Sequence, residues 1–197
     1  MEIYNFEQRS PEWYEIRKGK MTASKGATIA TAGAGLKTYI LEIMSEYYSS
    51  NPKQTYINDD MQRGIELEAE AILEYELRNN VKTQEIGFVL YNEYFGASPD
   101  RLVNDDGLIE VKCPNDKTYL ELLLTGKIKS EYLWQMQGQL LATNRKWCDF
   151  VAYNPNFEKN MFVKRILADK NNQDSLITGI DIGSKLIEEI KEKIKQV

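Results

Sequence analysis

Apolar residues recur at helical spacing in two long stretches of the N-terminal half. Tyr39, Ile40, Ile43, Met44 and Tyr47 form one stripe. Ile65, Ala69, Ile72 and Tyr75 form another within about 60–78, a segment that Asn79-Asn80 ends. Ahead of them, Ser10-Pro11-Glu12 reads as a helix start, with Ser10 as N-cap and proline at the first helical position, and Gly19 ends that helix. A second short helix is expected near Thr22-Ala23-Ser24 with Ser24 as its cap, followed by a flexible break at Ala32-Gly33-Ala34-Gly35. From Lys82 the texture changes to short β-rich runs at 84–91, 96–98, 101–103 and 108–113, and Asn104-Asp105-Asp106-Gly107 is a hairpin turn. Helices over 116–124 and 131–142, strands over 149–153 and 161–166, and a final amphipathic helix through Leu176, Ile180, Leu186, Ile190 and Ile194 complete the chain. This order predicts an α/β fold with a central mixed β-sheet flanked by helices, the sheet centred on the hairpin. Without repeats, low-complexity tracts or Pro/Ser linkers, the 197 residues read as a single domain.

Composition narrows the chemistry. The chain contains no histidine, so a Ser-His-Asp triad, a histidine base and a histidine-rich metal site are all excluded. Hydrolysis would have to run on carboxylates, lysine and a hard, oxygen-loving cation. Two cysteines, Cys113 and Cys148, are too few for a disulfide framework or a four-cysteine cluster. No apolar run approaches the ~20 residues that span a bilayer, and the first residues lack the basic and apolar parts of a signal peptide, which points to the cytoplasm and to no membrane partner. The net charge of −5 does not advertise a nucleic-acid binder. A local basic groove is compatible with it, because fields decay over a Debye length of ~8 Å.

The residues that can do chemistry cluster around the predicted hairpin. With the turn centred near Asp105, antiparallel partners have numbers summing to about 210, which sets Asp100 of Ser98-Pro99-Asp100 beside Glu110 of Glu110-Val111-Lys112. Like charges directly opposite are unfavourable unless something positive lies between them. The two-residue period puts Glu110 and Lys112 on one face, so the three side chains converge. Two acids bridged by a divalent cation, with a lysine next to the attacking water, make a minimal phosphodiester-cleaving site. A lone Glu-x-Lys carries no weight, since a chain of this length has one by chance about half the time. The acid at the hairpin-matched distance and the apolar Leu108, Ile109 and Val111 around it are what raise the pattern above a solvated strand.

Ser-Pro-Asp followed by Glu-x-Lys-Cys-Pro resembles the PD-(D/E)xK nuclease core, specifically the lambda exonuclease or YqaJ-type viral recombinase family. The resemblance continues in order along the chain: Gln8-Arg9-Ser10-Pro11-Glu12-Trp13 through Arg17-x-Gly19-x-x-Thr22-Ala23-Ser24, then Gly64-x-x-x-Glu68, then Gln135-Met136-Gln137. It implies a restriction-endonuclease-like core with Asp100, Glu110 and the carbonyl of Val111 as metal ligands for Mg²⁺ or Mn²⁺. Lys112 then orients or deprotonates the water, Glu68 holds a second metal ion or its waters, and Gln135 positions the water. Spacing separately places Tyr132, Gln135 and Gln139 on one helix face and Gln137 elsewhere. The resemblance further implies a DNA 5′-phosphate held by Arg17, Ser24 and Ser98, and a strand-separating wedge at Met61, while Trp13 reads as packing. Two departures stand out. Arg101 follows Asp100 where the family has glycine, and the 32–35 loop carries no arginine, so a second backbone grip is missing or moved to Lys37.

The implied activity is a Mg²⁺-dependent 5′-to-3′ exodeoxyribonuclease on linear double-stranded DNA, leaving 3′ tails for phage-type recombination. It would act as a ring-shaped homotrimer, with Lys117, Lys127 and Lys129 lining the channel and a single-strand annealing protein as a partner. Alternatives are another PD-(D/E)xK endonuclease, a distributive end-trimming nuclease, or a non-catalytic DNA-binding module on the same fold. An iron–sulfur exonuclease is disfavoured by the cysteine count.

Overall fold

The structure is a computed structural model and is described for residues 1–50 and 59–196, with the side chains of residues 59–61 outside that description. A short strand β1 (Glu2–Tyr4) precedes helix α1 (Pro11–Arg17), strand β2 (Met21–Thr22), a 3₁₀ turn (Ala23–Lys25) and helices α2 (Gly26–Thr31), α3 (Ala34–Tyr48) and α4 (Asp59–Asn79). Five strands follow: β3 (Thr83–Gln84), β4 (Phe88–Asn92), β5 (Phe95–Ala97), β6 (Arg101–Val103) and β7 (Gly107–Lys112). Helices α5 (Asp116–Thr125) and α6 (Ser130–Thr143), strands β8 (Trp147–Tyr153) and β9 (Met161–Leu167), and helix α7 (Lys170–Lys195) complete the order.

The strands form two sheets, one ordered β3-β6-β7-β8-β9 and the other β1-β4-β5-β2. In the five-stranded sheet only the β7–β8 pair is parallel, and α5 and α6 provide the crossover between its strands. β7 is the middle strand, as the sequence predicts. Alternation along it then sorts the core. Ile109 and Val111 face α4, where they meet Ala71, Ile72 and Tyr75. Leu108 faces α5 and α6, where Tyr119, Leu122, Met136 and Leu140 cover it together with Phe150 and Ala152. A third cluster joins α2, α3 and α7 to the smaller sheet. Close backbone approach sets it, since a Cβ at Gly179 of α7 would lie 1.9 Å from the Ile29 carbonyl oxygen.

The second sheet departs from expectation, and tertiary pairing is the reason. The run 84–91 splits between the two sheets, because Gly87 leaves the first ladder and donates its N–H to the Tyr4 carbonyl at 3.0 Å. β1 is recruited by β4 in antiparallel register, Ile3 opposite Val89. Met21–Thr22 is a strand parallel to β5 rather than a helix start, so Ser24 lies inside the 3₁₀ turn and caps nothing. The 32–35 segment is a corner between α2 and α3, with Ala32 in the left-handed region at φ 51° closing α2.

Candidate active site

The β6–β7 ladder pairs Arg101 with Ile109 and Leu102 with Leu108, and continuing it by one residue sets Asp100 opposite Glu110. Glu110 is 1% exposed and faces α6. Its Oε1 accepts hydrogen bonds from Lys112 Nζ and, at 2.6 Å, from Gln135 Nε2, while its Oε2 accepts one from Gln139 Nε2 at 2.6 Å. Asp100 Oδ2 accepts the Val111 N–H at 2.6 Å. Burial, reinforced by the charges of Glu110 and Glu68, raises the Asp100 pKa well above the usual carboxylate range, and Lys112 offsets this only in part. Burial pulls the Lys112 ammonium the other way from its acid neighbours, and Glu110 and Asp100 win, so its pKa is raised. The ammonium also lies 5.0 Å from the ring centroid of Tyr132, one turn before Gln135.

Asp100, Lys112 and Tyr132 line a cleft of about 680 Å³ together with Glu68, Val111, Lys127 and Lys129. Glu68, from α4, accepts a hydrogen bond from Arg9 at 2.9 Å. Among the described residues no group of three acid, cysteine or histidine side chains is assembled that could by itself hold a metal ion. The donor set nonetheless fits a hard divalent cation. It consists of carboxylate oxygens and a backbone carbonyl, and the crowding of Glu110 and Glu68 against Asp100 is the repulsion that such a cation relieves. Met61 falls in the first turn of α4, and its side chain lies outside the described residues.

A second cluster forms at the end of α1. The Ser98 hydroxyl accepts hydrogen bonds from Trp13 Nε1 at 2.8 Å and from Arg17 Nη1 at 3.4 Å. The Arg17 guanidinium lies 3.9 Å over the Trp13 ring, so Trp13 packs beneath the cation. Burial lowers the Arg17 pKa to about 10, and no described carboxylate pairs with it. A half-buried cation without a counter-charge among the described residues, beside a hydroxyl still able to donate, has the chemistry to take an anion. Ser24 hydrogen-bonds Thr22, their hydroxyls 3.0 Å apart, and Thr22 pairs with Gly96 on β5, two residues before Ser98.

Along the chain, the YqaJ-like viral recombinase domain matches residues 12–146. The chain belongs to that family. Its fold is that of the alkaline exonucleases: it is 36% identical to an alkaline exonuclease (LHK-Exo) from Laribacter hongkongensis, with a TM-score of 0.82 over 95% of this chain and 99% of the other. LHK-Exo in complex with dAMP matches at 37% identity and a TM-score of 0.85 over the same shares. A phage-related exonuclease from Haemophilus somnus 129PT shares the fold at 16% identity and a TM-score of 0.67, covering 89% of this chain and 96% of its own. No curated protein matches the chain in sequence.

Within this YqaJ-like domain several polar residues have other duties. Gln137 is not at the cleft; it is buried, donating to the Leu167 carbonyl at 2.8 Å and accepting the Asp169 N–H at 2.9 Å, and so holds the start of α7. Arg101 is spent on the Asp100 carbonyl and on Glu85, both at 2.7 Å. Lys37 and Lys117 are exposed. Sequence reasoning assigned no role to Gln8, whose Nε2 bridges the Ile86 and Pro99 carbonyls at 2.9 and 2.8 Å, or to Arg9. The four-residue spacing from Gln135 sets Gln139 on the same helix face, and from there it donates to Glu110.

Proposed function

We propose that this protein is a divalent-cation-dependent exodeoxyribonuclease that shortens one strand of linear duplex DNA from its 5′ end and leaves a 3′ single-stranded tail. The observation that carries the reading is Lys112 seated on buried Glu110, beside Asp100, on the wall of a cleft whose other carboxylate is Glu68. Asp100, Glu110, the Val111 carbonyl and Glu68 are the groups that would hold Mg²⁺, one ion or two. Bound there, Mg²⁺ supplies charge stabilisation at the phosphate and acidifies water.

The chain's own residues do the rest. Lys112, kept protonated by its acids, donates from Nζ toward the oxygen on which negative charge accumulates as water adds to phosphorus. Gln135 and Gln139 hold the Glu110 carboxylate in one orientation, so no reorganisation is needed as charge develops. Cleavage of the P–O3′ bond releases a 5′-mononucleotide and leaves a new 5′-phosphate on the shortened strand. Arg17, Ser98 and Ser24 receive that phosphate, which makes each product end the next substrate.

A homotrimeric ring accounts for sustained action by a chain of net charge −5, which by itself neutralises few phosphates and leaves DNA readily at physiological salt. Its tail is suited to an annealing protein in the cytoplasm of a phage-carrying bacterial host. The test is a linear duplex labelled separately at each end, with and without 5′-phosphate, in Mg²⁺ and in EDTA. Release of labelled mononucleotide from 5′-phosphorylated ends in Mg²⁺ alone is expected, and release first from 3′ ends overturns the polarity. Light scattering is expected to give three times the 22.8 kDa chain mass.

A further inference from the structure

Arg9 is held in an uncommon backbone conformation at the rim of the cleft. Its φ is 70°, in the left-handed region that an arginine enters only against steric cost. Both neighbours enforce it. Gln8 is clamped to the Ile86 and Pro99 carbonyls, next to Asp100, and the Ser10 hydroxyl caps α1 by accepting the Trp13 N–H at 3.3 Å. Between a clamp on the acid-bearing loop and a cap on the helix carrying Arg17, the Arg9 side chain is turned into the space shared by the cleft and a smaller pocket of about 300 Å³ beside it.

Its guanidinium has one partner among the described residues, Glu68 Oε2 at 2.9 Å, and the side chain remains 44% exposed. Both cations beside these three acids are thereby engaged, which leaves one acid without an ion-pair partner of its own among the described residues. Lys112 sits on Glu110 and Arg9 on Glu68, while Asp100 has only a backbone N–H. Arg101, the other arginine of this rim, is engaged with Glu85 and with its own loop. A divalent cation arriving at Glu68 competes with the guanidinium for the same lone pairs and repels it. A phosphodiester offers the guanidinium the same paired-oxygen geometry that it gives up. Because the backbone of Arg9 is fixed on both sides, only the side chain has to move.

We propose that Arg9 is a phosphate-contacting residue of the cleft, resting on Glu68 in the metal-free protein and passing to a DNA phosphate when a divalent cation takes the Glu68 carboxylate. This rests on the nuclease reading above. It predicts that the contribution of Arg9 to DNA binding depends on the cation, which a purely structural tie between α1 and α4 would not show.

The experiment measures duplex binding by anisotropy for wild type, Arg9→Gln and Arg9→Lys, in Ca²⁺ and in EDTA, with Ca²⁺ binding to the DNA-free proteins followed by calorimetry. Expected for Arg9→Gln is about 10-fold weaker duplex binding in Ca²⁺ with a salt slope lower by about one contact, and less than about 2-fold change in EDTA. Ca²⁺ affinity without DNA is expected to rise about 3-fold as the competing cation is removed, and Arg9→Lys, which keeps a point charge, is expected to fall between. Equal weakening in Ca²⁺ and EDTA, no weakening, or a lower Ca²⁺ affinity overturns the proposal. If Arg9→Gln does not fold, Arg9→Lys decides by the same comparison: equal loss in both conditions overturns it. Mg²⁺-dependent cleavage by wild type in parallel separates the two readings, because failure of Arg9 alone leaves wild-type cleavage standing, whereas wild type that neither binds nor cleaves duplex removes both.

Discussion

Glu110 and Asp149 are buried carboxylates on adjacent central strands, 1% and 3% exposed, and each accepts three hydrogen bonds from side chains. Their surroundings differ completely. Asp149 faces α4, where Arg165 grips both oxygens at 2.8 Å and Tyr75 adds a third bond at 2.7 Å, with Trp147 stacked 3.6 Å from the guanidinium. That acid is neutralised and sealed. Glu110 faces α6, where its lysine must also serve Asp100, its other donors are uncharged amides, and a cleft opens alongside. Burial and hydrogen bonding therefore do not identify a functional acid. What separates the two acids is a surplus of negative charge beside a cleft, where a cation or substrate would gain by arriving, and the proposed site rests on that difference.

The largest expected effect tests the open side of this comparison. Lys112→Ala is expected to lower Mg²⁺-dependent cleavage of linear duplex about 10³-fold or more with the far-ultraviolet dichroism unchanged. Wild-type-like turnover would mean that the Glu110 cluster is as inert as the Asp149 cluster. The closed side gives the converse. Asp149→Asn is expected to cost about 2 kcal/mol of unfolding free energy in urea, because Arg165 is half exposed and recovers some hydration, while the cleavage rate below the melting temperature stays at wild type. A rate loss without a stability loss would reverse the two roles.

Arg17 extends the comparison to a cation lacking its counter-charge. Arg17→Gln is expected to slow digestion of 5′-phosphorylated duplex about 10-fold and leave 5′-hydroxyl duplex unaffected. Burial lowers the Arg17 pKa but leaves the guanidinium charged at neutral pH, so the wild-type preference for a 5′-phosphate is expected to be unchanged between mildly acidic and neutral pH. Equal slowing of both substrates points to a general backbone contact.

The smallest effect concerns Asp100. Its folded-state pKa is raised, so the stability linked to its proton is fully present below the ordinary aspartate range and lost as pH rises through the raised value. Asp100→Asn is therefore expected to stabilise the metal-free protein by about 1 kcal/mol, roughly 2–4 °C, with the gap over wild type widening from mildly acidic to neutral pH. A gap that narrows over that interval contradicts the charge surplus.

Local rules carried much of this molecule. The Asn104–Gly107 turn and the two-residue period of its strands were enough to set Asp100 across from Glu110 and Lys112 on the same face, and the observed ladder runs in that register. Helical spacing was enough to align Tyr132, Gln135 and Gln139 and to send Gln137 away from them, although only the packed molecule showed Gln137 buried against the start of α7. Such rules relate residues within one element or one tight turn, where backbone geometry alone fixes the relation. Which element lies against which is decided by closure of the whole core. That closure divided 84–91 between two sheets, recruited β1, brought Trp13 and Arg17 to Ser98 over more than 80 positions, and set Arg9 on Glu68. Those contacts leave no periodicity in the chain, because each joins residues whose proximity is a property of the packed layers and not of the segments that carry them.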